Sequence, residues 1–194
     1  YTAIDGHKPT AQPLLADLDL DGDAELVIAA IHEVSEDIVV IALPLGVNGE
    51  PTPIWQSTLQ DGTHPSDPAF AIVDENTGYV VLTTTEASNG AMWVWKLDSD
   101  NGDQKWDGLL LPNNLGGTDS DVPHIRLPGP IVAELDSSTS GPEIVVTIPA
   151  DPDGSSDVLG AQFRGLNLDD GNELWSFEAV NGYADAPPVL IDSD

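Results

Sequence analysis

A segment that recurs four times along the chain constrains its fold more than any other feature. In each copy a proline opens a short apolar run that ends in an acidic turn, and the copies begin at Pro13, Pro68, Pro130 and Pro188, which are 55, 62 and 58 residues apart. A second apolar run follows each of the first three turns; these runs are Leu26–Ala30, Tyr79–Leu82 and Ile144–Ile148. Short β-branched runs between turn residues predict strands rather than helices.

A glycine turn that leads to a tryptophan closes the repeat. The segments Leu97–Trp106 and Leu168–Trp175 each place an Asn-Gly or Asp-Gly turn between a strand that ends in leucine and a strand that reaches tryptophan, and Leu43–Trp55 is a looser version. Such dipeptides supply the positive φ angles that a tight hairpin needs. Each unit is therefore predicted to contain four antiparallel strands, two around the acidic turn and a hairpin that ends at tryptophan.

Four-stranded units in series are typical of β-propeller blades, because one such sheet cannot bury both faces unless neighbours stack around an axis. We predict an all-β fold in which residues 1–194 form one β-propeller segment of about three four-stranded blades plus the first strand of a fourth. The predicted repeats span residues 11–56, 66–107, 128–177 and, incomplete, 186–194, with a long inter-blade loop over residues 107–129. A β-sandwich is the alternative. The long loop is either a binding surface or a spacer packed against its own blade.

The first acidic turn carries the sharpest chemical motif. Carboxylates at alternate positions of a tight loop can turn toward one centre, and Gly22 permits the bend. A hard cation that prefers six to eight oxygens suits this arrangement, so we predict a Ca²⁺ site. Its predicted ligands are the side chains of three aspartates, a backbone carbonyl and a closing glutamate; in chain order these are Asp17, Asp19, Asp21, Asp23 and Glu25. The alternative is a solvated turn without a cation, since Asp and Gly favour turns.

This motif begins like an EF-hand but departs from it, because its twelfth position is Ile28 instead of glutamate and no helix is predicted on either side. A helical calcium sensor is therefore excluded. The third unit predicts a weaker second metal site from Glu134, Asp136 and Glu143, and the shortened turn of the second unit predicts none.

The charge balance excludes several classes of partner. Thirty-four acidic residues against five basic ones give a net charge of −29, which repels nucleic acid and anionic membranes and attracts cations. An acidic solvated coat is the alternative explanation for most of this charge. Without cysteine the chain has neither disulfides nor thiolate sites. Bound calcium is therefore a candidate for stabilising the fold in place of disulfides. No apolar run has membrane-spanning length, which predicts no membrane insertion. A start at Tyr1 without a signal peptide fits a processed or excised segment, and a missing start is the alternative.

The strand, the Asp-x-Asp-x-Asp-Gly loop and the strand that follows it resemble the FG-GAP or VCBS repeats of integrin-like propellers, and the Leu97–Trp106 hairpin resembles the repeat of PQQ-type propellers. This resemblance covers residues 11–194 loosely and the first loop closely. It implies a structural calcium ion within a blade, between its first and second strands. Position by position it implies the same five ligands, from Asp17 to Glu25.

These observations predict a noncatalytic, secreted or cell-surface protein that acts in adhesion, assembly or extracellular filament or matrix formation. The expected partners are a protein or glycan at the cell surface, or further copies of the chain. The alternative is a fragment of a propeller enzyme, such as a polysaccharide lyase or a quinoprotein dehydrogenase. An enzyme of that kind needs a cluster of basic or titratable groups, which five dispersed basic residues disfavour. Fold alone does not decide between these functions.

Overall fold

Antiparallel β-strands make up all the regular structure that is described for this chain. The computed structural model describes residues 6–46, 51–85, 91–106, 108–111, 128–135, 141–150 and 160–179. Within these ranges fourteen strands form three separate sheets, and every strand pairing is antiparallel. The all-β prediction is confirmed. The arrangement of the sheets around a propeller axis stays a prediction.

The three sheets repeat one strand order, and they follow one another along the chain. The first contains β1 (His7–Pro9), β2 (Leu14–Ala16), β3 (Glu25–His32), β4 (Ile38–Pro44) and β5 (Trp55–Leu59). The second contains β6 (His64–Pro65), β7 (Ala69–Asp74), β8 (Thr77–Thr85), β9 (Met92–Asp98) and β10 (Leu109–Leu111). The third contains β11 (Ile131–Ala133), β12 (Glu143–Ala150), β13 (Gly160–Asn167) and β14 (Glu173–Ala179). Each sheet runs from a first edge strand through two long strands to a last edge strand.

The first edge strand is split into two pieces in the first two sheets. Both β1 and β2 pair with β3, and both β6 and β7 pair with β8. The repeat prolines Pro13, Pro68 and Pro130 immediately precede β2, β7 and β11. Proline has no N–H to donate, so it is tolerated at an edge where no further strand needs that donor. The recurrent proline therefore marks where the second piece of the edge strand begins in the first two sheets, and where β11 begins in the third.

Alternation along the long strands places apolar side chains on both faces of the second sheet. In β8, Val80 and Leu82 pack in a cluster with Val40 and Trp55 of the first sheet. The intervening Val81 points the other way and belongs to a cluster shared with the third sheet. The second sheet is therefore buried between the other two, which explains why its strands read as continuous apolar runs.

The repeated tryptophans have unequal surroundings. Trp55 is 6% exposed, and its indole Nε1 donates a hydrogen bond of 2.6 Å to the carbonyl of Ser99 in the turn after β9. Its ring lies directly on Gly102, where a Cβ atom would stand 2.6 Å from it. Trp106 lies near Gly171, the corresponding glycine of the third sheet, whereas Trp175 is 39% exposed. Of the three, Trp55 is buried, Trp106 is partly buried and Trp175 is exposed.

The second unit ends later than the sequence indicated. Leu109–Leu111 was assigned to the inter-blade loop over residues 107–129, but it forms β10 and pairs with β9 from Leu111↔Met92 to Leu109↔Val94. The predicted loop is wrong at these residues, because they pair with β9 as a strand and Leu111 is buried in the cluster between the second and third sheets. Trp106 precedes this strand instead of ending it. The rest of the predicted loop, residues 112–127, and the incomplete repeat 186–194 lie outside the described residues.

Candidate metal centre

The turn between β2 and β3 brings three carboxylates together. Each of Asp17, Asp19 and Asp21 offers an oxygen within 4.8 Å of the others. Left-handed backbone at Leu20 (φ 59°) and Gly22 (φ 100°) bends the loop so that alternate side chains face one centre. A Cβ atom on Gly22 would meet nothing within 4 Å, so the backbone angle, and not space, explains the glycine here.

Hydrogen bonds from the loop's own backbone hold these carboxylates in place. The carboxylate of Asp17 accepts the N–H groups of Asp21 (3.0 Å) and Gly22 (2.9 Å), and that of Asp21 accepts the N–H of Asp23 (2.8 Å). A carboxylate has about four acceptor sites on its two oxygens, so each keeps capacity for a cation. The arrangement presents hard oxygen ligands, the kind that Ca²⁺ prefers.

Glu25 holds the loop backbone by a hydrogen bond that the sequence did not predict. It is the first residue of β3, it is 7% exposed, and its Oε2 accepts the N–H of Leu18 at 2.8 Å. Burial raises the pKa of this carboxyl, the Leu18 N–H opposes that effect, and the charges of Asp19, Asp21 and Asp17 raise it further. Glu25 therefore stands within the field of the three aspartates, although the set of mutually close oxygens comprises only Asp17, Asp19 and Asp21. Ligation by Asp23 and Glu25 stays a prediction.

The third sheet contains an equivalent hydrogen bond between a leucine N–H and a glutamate. Glu143 is the first residue of β12, it is 1% exposed, and its Oε2 accepts the N–H of Leu135 at 2.7 Å. Glu134 is exposed, and Asp136 lies outside the described residues. Among the residues that are described, Asp17, Asp19 and Asp21 form the one group of three possible metal ligands. The second site at Glu134, Asp136 and Glu143 stays a prediction.

A residue from the neighbouring sheet completes the surroundings of the first loop. Ser99, in the turn after β9, donates its hydroxyl to the carbonyl of Leu18 at 2.6 Å. Leu18 is therefore held at both of its peptide groups, at the N–H by Glu25 and at the C=O by Ser99. No sequence signal links positions that lie 81 residues apart, so this contact follows only from the packing of the two sheets.

Two of the five basic residues lie buried between or within sheets. Lys96 donates its Nζ to the carbonyl of Leu168 in the third sheet at 2.8 Å and lies 4.0 Å from the centre of the Tyr79 ring. Burial lowers the pKa of Lys96, with Asp169 opposing the shift and Lys105 adding to it. Arg164 bonds Gln162 and forms an ion pair of 3.1 Å with Glu173. These cations link strands and sheets, which is a structural use.

Comparisons with known proteins give no family. No protein-family model matches the sequence, and searches of curated proteins and of solved structures find no match either. The described part of the chain contains no helix long and apolar enough to cross a membrane.

Proposed function

We propose that this chain is a noncatalytic, calcium-binding segment of a β-propeller, located outside the cell or at its surface, which acts in adhesion, assembly or matrix formation. One observation carries the proposal: the oxygens of Asp17, Asp19 and Asp21 lie within 4.8 Å of one another in a loop with two left-handed residues. Three carboxylates this close repel one another, and a divalent cation relieves that repulsion.

Calcium is the cation that the donor set favours. All the converging side chains are carboxylates, without the nitrogen or sulfur ligands that transition metals prefer. The loop is irregular and exposed at Asp19 and Asp21, and Ca²⁺ tolerates irregular shells completed by water better than Mg²⁺ does. Because the loop joins β2 to β3, a bound ion would hold β2 against β3. That is a structural role.

The location and the propeller arrangement are supported by separate features. Calcium sites of extracellular modules bind at about 10⁻⁴ to 10⁻³ M, which suits an exposed loop of this kind. A net charge of −29 would be screened by such an ionic medium. Three sheets of one strand order that share apolar clusters in chain order are the packing that a propeller requires. The exposed Trp175 and Phe177 on β14, the last strand of the third sheet, support a role in assembly.

Thermal unfolding with and without calcium tests this proposal. Since calcium binds only the folded loop, Ca²⁺ at about a hundred times its Kd should stabilise the chain by roughly 2.7 kcal/mol, which raises Tm by about 5 to 10 °C for a chain of this size. The double variant Asp19→Asn with Asp21→Asn should lose the response. Asp61→Asn, an exposed charge change in the segment between β5 and β6, should keep it. Equal Tm values in calcium and in excess chelator at low salt would refute the proposal.

A further inference from the structure

The acidic loop of the first sheet is anchored by the second sheet. Leu18 lies between the two aspartates Asp17 and Asp19, and its side chain is 2% exposed within the cluster that the two sheets share. Its carbonyl accepts the Ser99 hydroxyl at 2.6 Å. The loop segment that carries two of the three converging carboxylates is therefore fixed in part by a residue of another sheet.

Ser99 also holds the opposite edge of the first sheet. Its carbonyl accepts the Trp55 indole N–H at 2.6 Å, and its own N–H bonds to the carbonyl of Gly78 in β8 at 3.2 Å. Ser99 is 1% exposed. A Cβ atom on Gly78 would stand 2.8 Å from the Ser99 hydroxyl, so the serine is packed closely on its own sheet. One residue thus connects β8, the acidic loop and the first residue of β5.

We propose that Ser99 is a positioning residue for the cation site, so that the site is complete only while the first and second sheets are packed together. This inference rests on the proposed function, because it assumes a cation at Asp17, Asp19 and Asp21. Binding is favoured when ligands are held in place beforehand. Thermodynamic linkage is reciprocal: if packing of the two sheets increases the cation affinity, cation binding stabilises the packing of the two sheets by the same free energy. The ion would then stabilise the junction between repeats as well as the loop.

Calorimetric titration of Ca²⁺ into the Ser99→Ala variant tests this role. Loss of the hydroxyl should weaken binding by up to about five-fold, the factor that corresponds to the roughly 1 kcal/mol that a buried hydrogen bond contributes on balance, because the bond acts on binding only through the position of the ligands. Ser66→Ala is the matched control. Ser66 is an equally buried serine of the second sheet whose hydroxyl accepts the Thr83 N–H and donates to the Asp67 carbonyl, and its loss should leave the affinity unchanged.

Hydrogen exchange of the unmodified chain gives a second readout that does not depend on folding of the variant. Calcium should slow exchange at Leu18 and also at Ser99 and Gly102, whose N–H groups bond within the second sheet. If calcium binds but protects only the loop, or if Ser99→Ala binds as tightly as Ser66→Ala, the positioning role is wrong while the calcium site stands. If the unmodified chain binds no calcium, the proposed function itself fails, and this inference fails with it.

Discussion

In the first sheet the carboxylate of Glu25 accepts the N–H of Leu18, and in the third sheet the carboxylate of Glu143 accepts the N–H of Leu135. Both glutamates begin the first long strand of their sheet, and both leucines stand between two acidic residues. After the shared acid-Leu-acid start, the first loop continues with Asp21, Gly22 and Asp23, whereas the third continues with serine and threonine. The hydrogen bond from leucine to glutamate is therefore common to both repeats, whereas the series of alternating aspartates is found in the first loop and not in the third.

The packing behind these loops gives the largest expected effect. Gly102 and Gly171 both have φ of +74°, but a Cβ atom would approach the Trp55 ring to 2.6 Å at Gly102 and meet its nearest neighbour at 3.2 Å at Gly171. We expect Gly102→Ala to cost about 3 kcal/mol through backbone strain and overpacking, and Gly171→Ala to cost less. Urea unfolding of both variants measures the difference. A larger cost at Gly171 would contradict the packing described for Trp55.

Removal of the hydrogen bond between leucine and glutamate should have the next largest effect on stability. Glu25→Ala and Glu143→Ala each leave a leucine N–H without its carboxylate acceptor, which costs roughly 1 to 3 kcal/mol where the group is buried. In chelator the lost hydrogen bond should cost more for Glu25→Ala than for Glu143→Ala, because Leu18 is 2% exposed whereas Leu135 is 40% exposed. In calcium, only Glu25→Ala should also lower cation affinity, as calorimetry would reveal. A large fall in calcium affinity for Glu143→Ala would show that the third loop is a metal site as well.

The loop glycines should have smaller effects that again differ in calcium. Gly22 and Gly141 both have positive φ, and a Cβ atom would meet nothing nearer than 3.9 Å at either position. Alanine should therefore cost about 1 kcal/mol of backbone strain at each. Chemical denaturation measures this cost, and titration should detect weaker calcium binding for Gly22→Ala alone. Equal calcium affinities for the two variants would place the cation away from the first loop.

The smallest expected effect is a difference in pH dependence between two equivalent turns. Asp98 and Asn167 occupy equivalent positions in their turns, because the backbone carbonyl of each accepts the N–H of the glycine four residues later. Burial opposes ionisation of Asp98, but the hydrogen bonds from Lys105 and from the Asp100 N–H outweigh it and hold its pKa below the usual 3.8. Its stabilising contribution should therefore be present above pH 3.8 and be lost as pH falls through the lowered pKa.

Denaturation of Asp98→Asn between pH 2 and pH 6 measures this term. The unmodified chain should be the more stable of the two above pH 3.8, and the difference should vanish in stronger acid. Asn167→Asp provides the reverse comparison, because that turn has no lysine in the place of Lys105. A difference that persists unchanged at the acid end would assign the effect to packing rather than to the carboxylate charge.

The alternation and turn chemistry of the repeat predicted much of the local structure. Leu26–Ala30, Tyr79–Leu82 and Ile144–Ile148 all lie in long strands, because buried β-branched runs between turns have few other stable conformations. The Asp17 to Asp21 convergence was also predictable, since it depends on five consecutive residues and one glycine. The strand at Leu109–Leu111 was missed because its pairing with β9 crosses a turn whose tryptophan was expected to end the sheet.

The sequence by itself determined the all-β class, the period of the repeat and the three carboxylates that converge, because these follow from residue types at short separations. Tertiary structure decided how those parts are held. Ser99 reaches Leu18, Trp55 lies on Gly102, and Lys96 reaches Leu168 only because whole sheets pack face to face. Each of these contacts joins residues more than forty positions apart, and local pattern carries no information about such a distance.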